Sequence, residues 1–451
     1  VRSTLDRQAA AAATAAILAR LDEANARLAQ RYRGEPEARQ PVHTVYGGAH
    51  LFKAETARKM GDLALKALAD YAPDAATFAQ AVGVPERLAE RVYARVVGKL
   101  RREPVEDLRV DFEDGYGNRA DAEEDEHAVR AAEEMARGLA AGTLPPFVGI
   151  RVKALTDETR GRAVRTLDLF VTALMTATGG ALPPGFVVTL PKVQIPEQVT
   201  ALVDLFELLE EGLELPPGAL KLELMIETTQ AIIGPRGEIA LRGLVDAARG
   251  RCVGAHFGTY DYTASCNVTA AEQRMTHPAA SFARHMMQVA LARTGVFLSD
   301  GATTVMPIGP HRGAQLTVEQ QAENRAVVHA AWRVAYENTM DSLGRGFYQG
   351  WDLHPAQLPV RYAAVYAFFL DGVEPAAERL RLFVQKAAQA SRVGHTFDDA
   401  ATGQGLLNYF LRAINAGALT EEETRALTGL TLEQLRTRSF ARITAAAQEP
   451  R

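Results

Sequence analysis

Leu220-Lys221-Leu222-Glu223-Leu224-Met225-Ile226-Glu227-Thr228 alternates apolar and polar residues. A period-two run of this kind reads as a β-strand, here one that ends on the carboxylate of Glu227. A second strand, Cys252-Val253-Gly254-Ala255-His256-Phe257-Gly258, follows after a helix-length gap and runs into Thr259-Tyr260-Asp261. Two successive strands therefore each deliver one acid at a C-terminal end. In a parallel barrel those ends share one mouth, where active sites sit. Two hard oxygen ligands there suit Mg²⁺, which takes one or two carboxylates and leaves room for water and substrate oxygens. Taken singly, Glu227 or Asp261 would read as a helix cap or a solvent-facing acid. Together in this context they read as a metal site.

Short strands alternate with helices on either side of this pair. The strands are read at 42–46, 108–114, 147–152 and 186–190, then the two just quoted, then a weaker one within 296–308, and a last one at 346–351. Within 296–308 the best candidate is Val305-Met306-Pro307-Ile308. Helices are read at 53–71, 119–139, 162–176, 196–211, 275–292 and 318–343, with a helical excursion at 72–104. Such alternation argues for parallel βα units. About eight units make a closed (β/α)8 TIM barrel the leading reading and an open doubly wound sheet the runner-up. No glycine-rich dinucleotide fingerprint follows any strand, which weakens the sheet. Residues 3–32 read as an amphipathic helix with Ile17, Leu18, Leu21 and Leu28 on one side, and 34–41 as a linker. The tail is helical, with a capping-box start at Thr420. The expected division is 1–41 helix and linker, 42–360 barrel, and 361–451 helical extension.

The chain has 451 residues, 47% hydrophobic and 23% charged, with a net charge of -5. This is an ordinary soluble composition and gives no reason to expect nucleic acid. With only Cys252 and Cys266, no disulfide framework is indicated and a reducing, cytoplasmic setting is expected. No apolar run reaches the length of a membrane span.

Other residues at the expected mouth carry chemistry. Arg151 ends the third strand, and a guanidinium can grip a planar carboxylate bidentately or pair with Asp111 or Glu113. Asp111, Glu113 and Asp114 crowd one strand end and repel unless a cation is near, which fits carboxylates orienting a metal's water ligands. Lys192 follows the fourth strand and adds positive charge near an anionic substrate. Gly47-Gly48 with His50 reads first as a tight turn and second as an anion cradle. His256 and His354 read as structural, and Cys266 has no evident His partner for nucleophilic work.

Six of these stretches together resemble the citrate lyase beta-subunit family, which includes malyl-CoA lyases and lies close to malate synthase. They are Asp111-Phe112-Glu113-Asp114-Gly115, Ile150-Arg151-Val152, Leu190-Pro191-Lys192-Val193, Met225-Ile226-Glu227-Thr228, Phe257-Gly258-Thr259-Tyr260-Asp261 and His354-Pro355-Ala356-Gln357. They occur in the family's order. The resemblance implies a TIM barrel of the phosphoenolpyruvate/pyruvate-binding type, with Mg²⁺ on Glu227 and Asp261. It implies that Arg151, Lys192, Gly258 and Thr259 bind the oxo-acid, and that Asp398 or Asp399 in the tail is the base. The implied reaction is reversible carbon–carbon cleavage of a 3-hydroxy acid or its CoA thioester, with a 2-oxo acid such as glyoxylate, oxaloacetate or pyruvate as partner. A homotrimer or homohexamer is implied as well. The N-terminal helix and the stretches 72–104 and 262–345 are longer than a compact member needs, and no sequence mark for CoA is present. Two alternatives stand beside the lyase: a non-catalytic binding or regulatory barrel, and a phosphoryl-transfer enzyme, for which no Walker loop is found.

Overall fold

The computed structural model describes residues 8–313, 315–389, 400–438 and 443. Eight parallel strands close into one barrel in sequence order. They are β1 His43–Gly48, β2 Asp107–Asp111, β3 Phe147–Arg151, β4 Phe186–Leu190, β5 Lys221–Ile226, β6 Cys252–Phe257, β7 Phe297–Ala302 and β8 Gln349–Asp352. β8 pairs with β1 through Thr44 and Trp351, which leaves no sheet edge. Helices separate the strands and form the outer layer. The fold is therefore a TIM (β/α)8 barrel with an N-terminal helix and C-terminal helices.

β5 shows how the pattern builds the barrel. Leu222, Leu224 and Ile226 are buried in the layer between strands and helices. Glu223 points the other way, into the barrel, where its carboxylate takes 2.6 and 3.2 Å hydrogen bonds from Arg109 of β2 and lies 3.1 Å from His256 of β6. The polar half of the alternation is thus the barrel interior rather than a solvent face. Arg109 also pairs with Asp107, Thr44 donates to Asp107 at 2.9 Å, and Gln349 donates to Thr44 at 2.9 Å. Buried charges of this kind are tolerable only when fully paired.

β7 corrects the sequence reading. The strand is Phe297-Leu298-Ser299-Asp300-Gly301-Ala302, and Val305 to Ile308 lie outside any strand. Ser299, Asp300 and Gly301 read locally as a turn, but pairing to β6 and β8 overrides local propensity. His43 Nδ1 lies 2.8 Å from Asp352, which also binds Arg361. At the N-terminal face of the barrel, a cavity of about 690 Å³ lies between the strand starts, residues 35–40 and the C-terminal helices.

Helix Gln8–Arg31 stands off the barrel: Ile17, Leu18, Leu21 and Leu28 are all more than half exposed. Its foot is held by an Arg31–Asp246 ion pair of 2.7 Å and by the Gly34 amide on the Arg293 carbonyl at 3.0 Å. No helix among the described residues is long and apolar enough to cross a membrane.

Candidate active site

The C-terminal mouth collects the ends of β1 to β6. Glu227 follows the last residue of β5 and is buried, 2% exposed. Its Oε1 accepts the backbone N–H of Lys192 at 2.7 Å. Its carboxylate lies over Gly258, where a Cβ would collide with it. Asp261 sits in the first turn of helix Thr259–Ser265, directly after β6, and its side chain is 43% exposed. Burial, then the charge of Asp261, pushes the Glu227 carboxyl up to about 8, although Lys192 and Arg151 pull it down.

Lys192 ties these acids to a second group. Its Nζ pairs with Glu113, lies 3.2 and 3.3 Å from the two Asp114 oxygens, and stands 4.0 Å from Asp261. Its φ is +51°, a left-handed conformation that is uncommon for a residue with a Cβ. Burial disfavours the ammonium, but Glu113, Glu227 and Asp261 outweigh it and hold the lysine charged.

Arg151 ends β3 and is buried. Asp111 grips it bidentately at 2.7 and 2.5 Å, and Nη1 lies 3.2 Å from Glu113 and 3.6 Å from the Met225 sulfur. Its guanidinium lies 4.7 Å from the Tyr46 ring centroid. Asp111 also accepts the amides of Glu113 at 3.0 Å and Gly115 at 2.7 Å, so it is bonded on both oxygens. The pairing of Arg151 with Asp111 and Glu113, one of the two readings of the sequence, is present. The Nη1 edge, turned away from Asp111, faces Glu113 and the Met225 sulfur, so a ligand there would share it with Glu113.

Glu227, Asp261, Lys192, Arg151, Asp111, Glu113 and Asp114 thus sit at one end of the barrel, with Gly258 and Thr259 beneath. Thr259 is buried, and its hydroxyl has no hydrogen-bond partner among the described residues. Asp398 and Asp399 lie outside the described residues. Among the described residues no three His, Cys, Asp or Glu side chains converge as ligands. A pair of carboxylates is what Mg²⁺ commonly takes from a protein. The donor set fits on a second count: an ammonium already stands as a cation beside Asp261 and Glu227.

Sequence reasoning missed Tyr46 and Trp351. Tyr46 packs on Arg151 and, at 5.0 Å between centroids, on Trp351, which donates to His256 Nδ1 at 2.9 Å. The Tyr46 hydroxyl is buried without a partner among the described residues. The signal was the alternation Thr44, Tyr46, Gly48 along β1. His354 caps the turn Pro355–Gln357, the structural role expected of it.

A citrate lyase from Burkholderia xenovorans LB400 shares this fold, with 17% identity, coverage of 86% of this chain and 96% of its own, and a TM-score of 0.54. A Haloferax volcanii malate synthase in a magnesium/glyoxylate complex matches at 14% identity, covering 91% and 98%, with a TM-score of 0.44. Protein CitE from Mycobacterium tuberculosis, in complex with magnesium and pyruvate, matches at 16% identity, covering 73% and 91%, with a TM-score of 0.36. No curated protein sequence matches the chain. The model of the family described as "Domain of unknown function (DUF6986)" matches residues 21–443, and the protein belongs to that family.

Proposed function

We propose that the protein is a Mg²⁺-dependent carbon–carbon lyase or aldolase. It would act reversibly on a 3-hydroxy acid or its CoA thioester, with a 2-oxo acid of the glyoxylate, oxaloacetate or pyruvate type as partner. The observation that carries the reading is the meeting of Glu227 and Asp261 at one mouth, bridged by Lys192 and faced by Arg151. The citrate lyase that shares the fold suggests the class of reaction.

Glu227 and Asp261 would hold the ion. Bound there, Mg²⁺ supplies Lewis-acid polarisation of the 2-oxo carbonyl. Arg151 offers Nη1 to the same oxygen, where charge develops, while Asp111 fixes the plane of the guanidinium. Lys192 balances the substrate carboxylate, and the backbone at Gly258 and Thr259 approaches it. Glu113 and Asp114 would orient waters around a bound ion. The base that forms the enolate is assigned to Asp398 or Asp399. The division at residues 41 and 360, a cytoplasmic homotrimer or homohexamer, and an acyl-CoA as second substrate belong to the same proposal.

The test is thermal. Glyoxylate, oxaloacetate or pyruvate, added with Mg²⁺, raises the melting temperature by linkage, and none of them does so in the Glu227→Gln protein. No shift with any 2-oxo acid counts against the reading. An equal shift in Glu227→Gln favours a binding barrel without metal chemistry.

A further inference from the structure

Lys192 stands among the acids of the mouth just described, and its contacts reach beyond the balancing of a substrate carboxylate. Its ammonium is, beside the Arg151 guanidinium, a cation set among the acids of the mouth. It pairs with Glu113, reaches both oxygens of Asp114, and comes within 4.0 Å of Asp261. Its own backbone amide donates to Glu227 at 2.7 Å. One residue therefore contacts both proposed ligands, by the main chain on one and by charge on the other. The left-handed φ of +51° that permits this costs energy for a lysine, and strain of this kind persists where the surroundings hold it.

Resting on the metal reading above, we propose that Lys192 is a tethered counter-ion that competes with the divalent cation. In the metal-free protein it offsets the acids that would otherwise repel. A divalent ion on Glu227 and Asp261 brings a second positive charge to within a few ångströms of the ammonium, and like charges at that range oppose each other. The ammonium then withdraws from Asp261 towards Glu113 and Asp114, which already hold it. Asp261, the more exposed ligand at the edge of the cluster, is the one the incoming ion meets first. Lys192 thereby sets the affinity of the mouth for the ion and offsets the repulsion among its acids. It is a positioning residue and takes no part in bond making.

Calorimetric titration of Mg²⁺, and of Mn²⁺ followed by its electron spin resonance, into the full chain tests this. The series is wild type, Lys192→Met, Lys192→Arg, Lys192→Gly and Glu227→Gln. Removing the charge in Lys192→Met tightens the ion about five- to tenfold, and lowers the melting temperature of the metal-free protein. Lys192→Gly does the same for affinity while relieving the left-handed backbone, so a gain in both variants belongs to the charge and not to strain. Lys192→Arg keeps the wild-type affinity within about twofold. Equal or weaker binding in Lys192→Met and Lys192→Gly, with binding still abolished in Glu227→Gln, overturns the competition and leaves the metal site standing. Absence of ion binding in the wild type and every variant overturns the metal reading, and the role of Lys192 with it.

Discussion

Gly258 lies where the Glu227 carboxylate needs space: a Cβ there would sit 2.5 Å from the Glu227 Cβ and collide with its oxygens. Gly258→Ala must push Glu227 aside or strain β6. It is expected to destabilise the protein by about 1–3 kcal/mol in urea unfolding and to weaken Mg²⁺ binding. Unchanged affinity would mean that Glu227 is not a ligand. Arg151 gives a second case at this scale. Its bidentate grip by Asp111 depends on the planar fork, which lysine lacks. Arg151→Lys keeps the charge beside Asp111, so the fold survives. The directed donor at the developing oxyanion is lost, and kcat/KM for 2-oxo acid turnover is expected to fall about 10²-fold or more. A variant with wild-type kinetics would remove Arg151 from the site.

The strands carry two roles at once, and β2 shows it. Asp107 and Arg109 belong to the charged layer inside the barrel, while Asp111 belongs to the mouth. Arg109→Met leaves Asp107 and Glu223 facing each other without their cation, and is expected to cost about 3–5 kcal/mol in urea unfolding. On β8, burial would raise the Asp352 carboxyl, but Arg361 and His43 outweigh it and hold it at about 2. The folded value lies below the unfolded value of about 3.9, so this contribution is present above pH 4 and disappears as pH falls from about 4 towards 2. Asp352→Asn is expected to be less stable at neutral pH and to lose that part of the acid dependence. An unaltered acid limb would contradict the pairing. The same strands explain what could be read from sequence. β5 was legible because its outward residues are apolar and its inward ones polar, and β6 as a short, largely apolar run. β7 was not, because Ser299-Asp300-Gly301 imitates a turn and only its neighbours make it a strand. The placing of Glu227, Asp261 and Arg151 at or just past strand ends was legible from the pattern of strands. For Tyr46 the alternation of β1 gave only its facing, since nothing local says that its ring will cover an arginine from another strand.

At the scale of the whole molecule, the helix Gln8–Arg31 and the barrel are tied mainly at the helix foot. Removing residues 8–31 exposes little of the barrel, so the melting temperature is expected to move by less than about 3 °C. A larger fall would show that this helix packs on another subunit. The barrel itself has opposite ends of opposite character. The N-terminal face carries closed ion pairs such as Arg39–Glu106–Lys99 and the cavity of about 690 Å³ that they line. The C-terminal face carries acids that Lys192 and Arg151 hold in balance. The barrel separates structure from chemistry in this way, and the claim that rests on it is that two strand ends share one divalent ion. A crystal soaked with Mn²⁺ and a 2-oxo acid, recorded at a wavelength where manganese scatters anomalously, tests it most directly. The expected map has one anomalous peak about 2.1–2.2 Å from oxygens of both Glu227 and Asp261, with the oxo-acid completing the shell towards Arg151. A peak elsewhere, or the oxo-acid bound with no peak between those two carboxylates, would contradict the account.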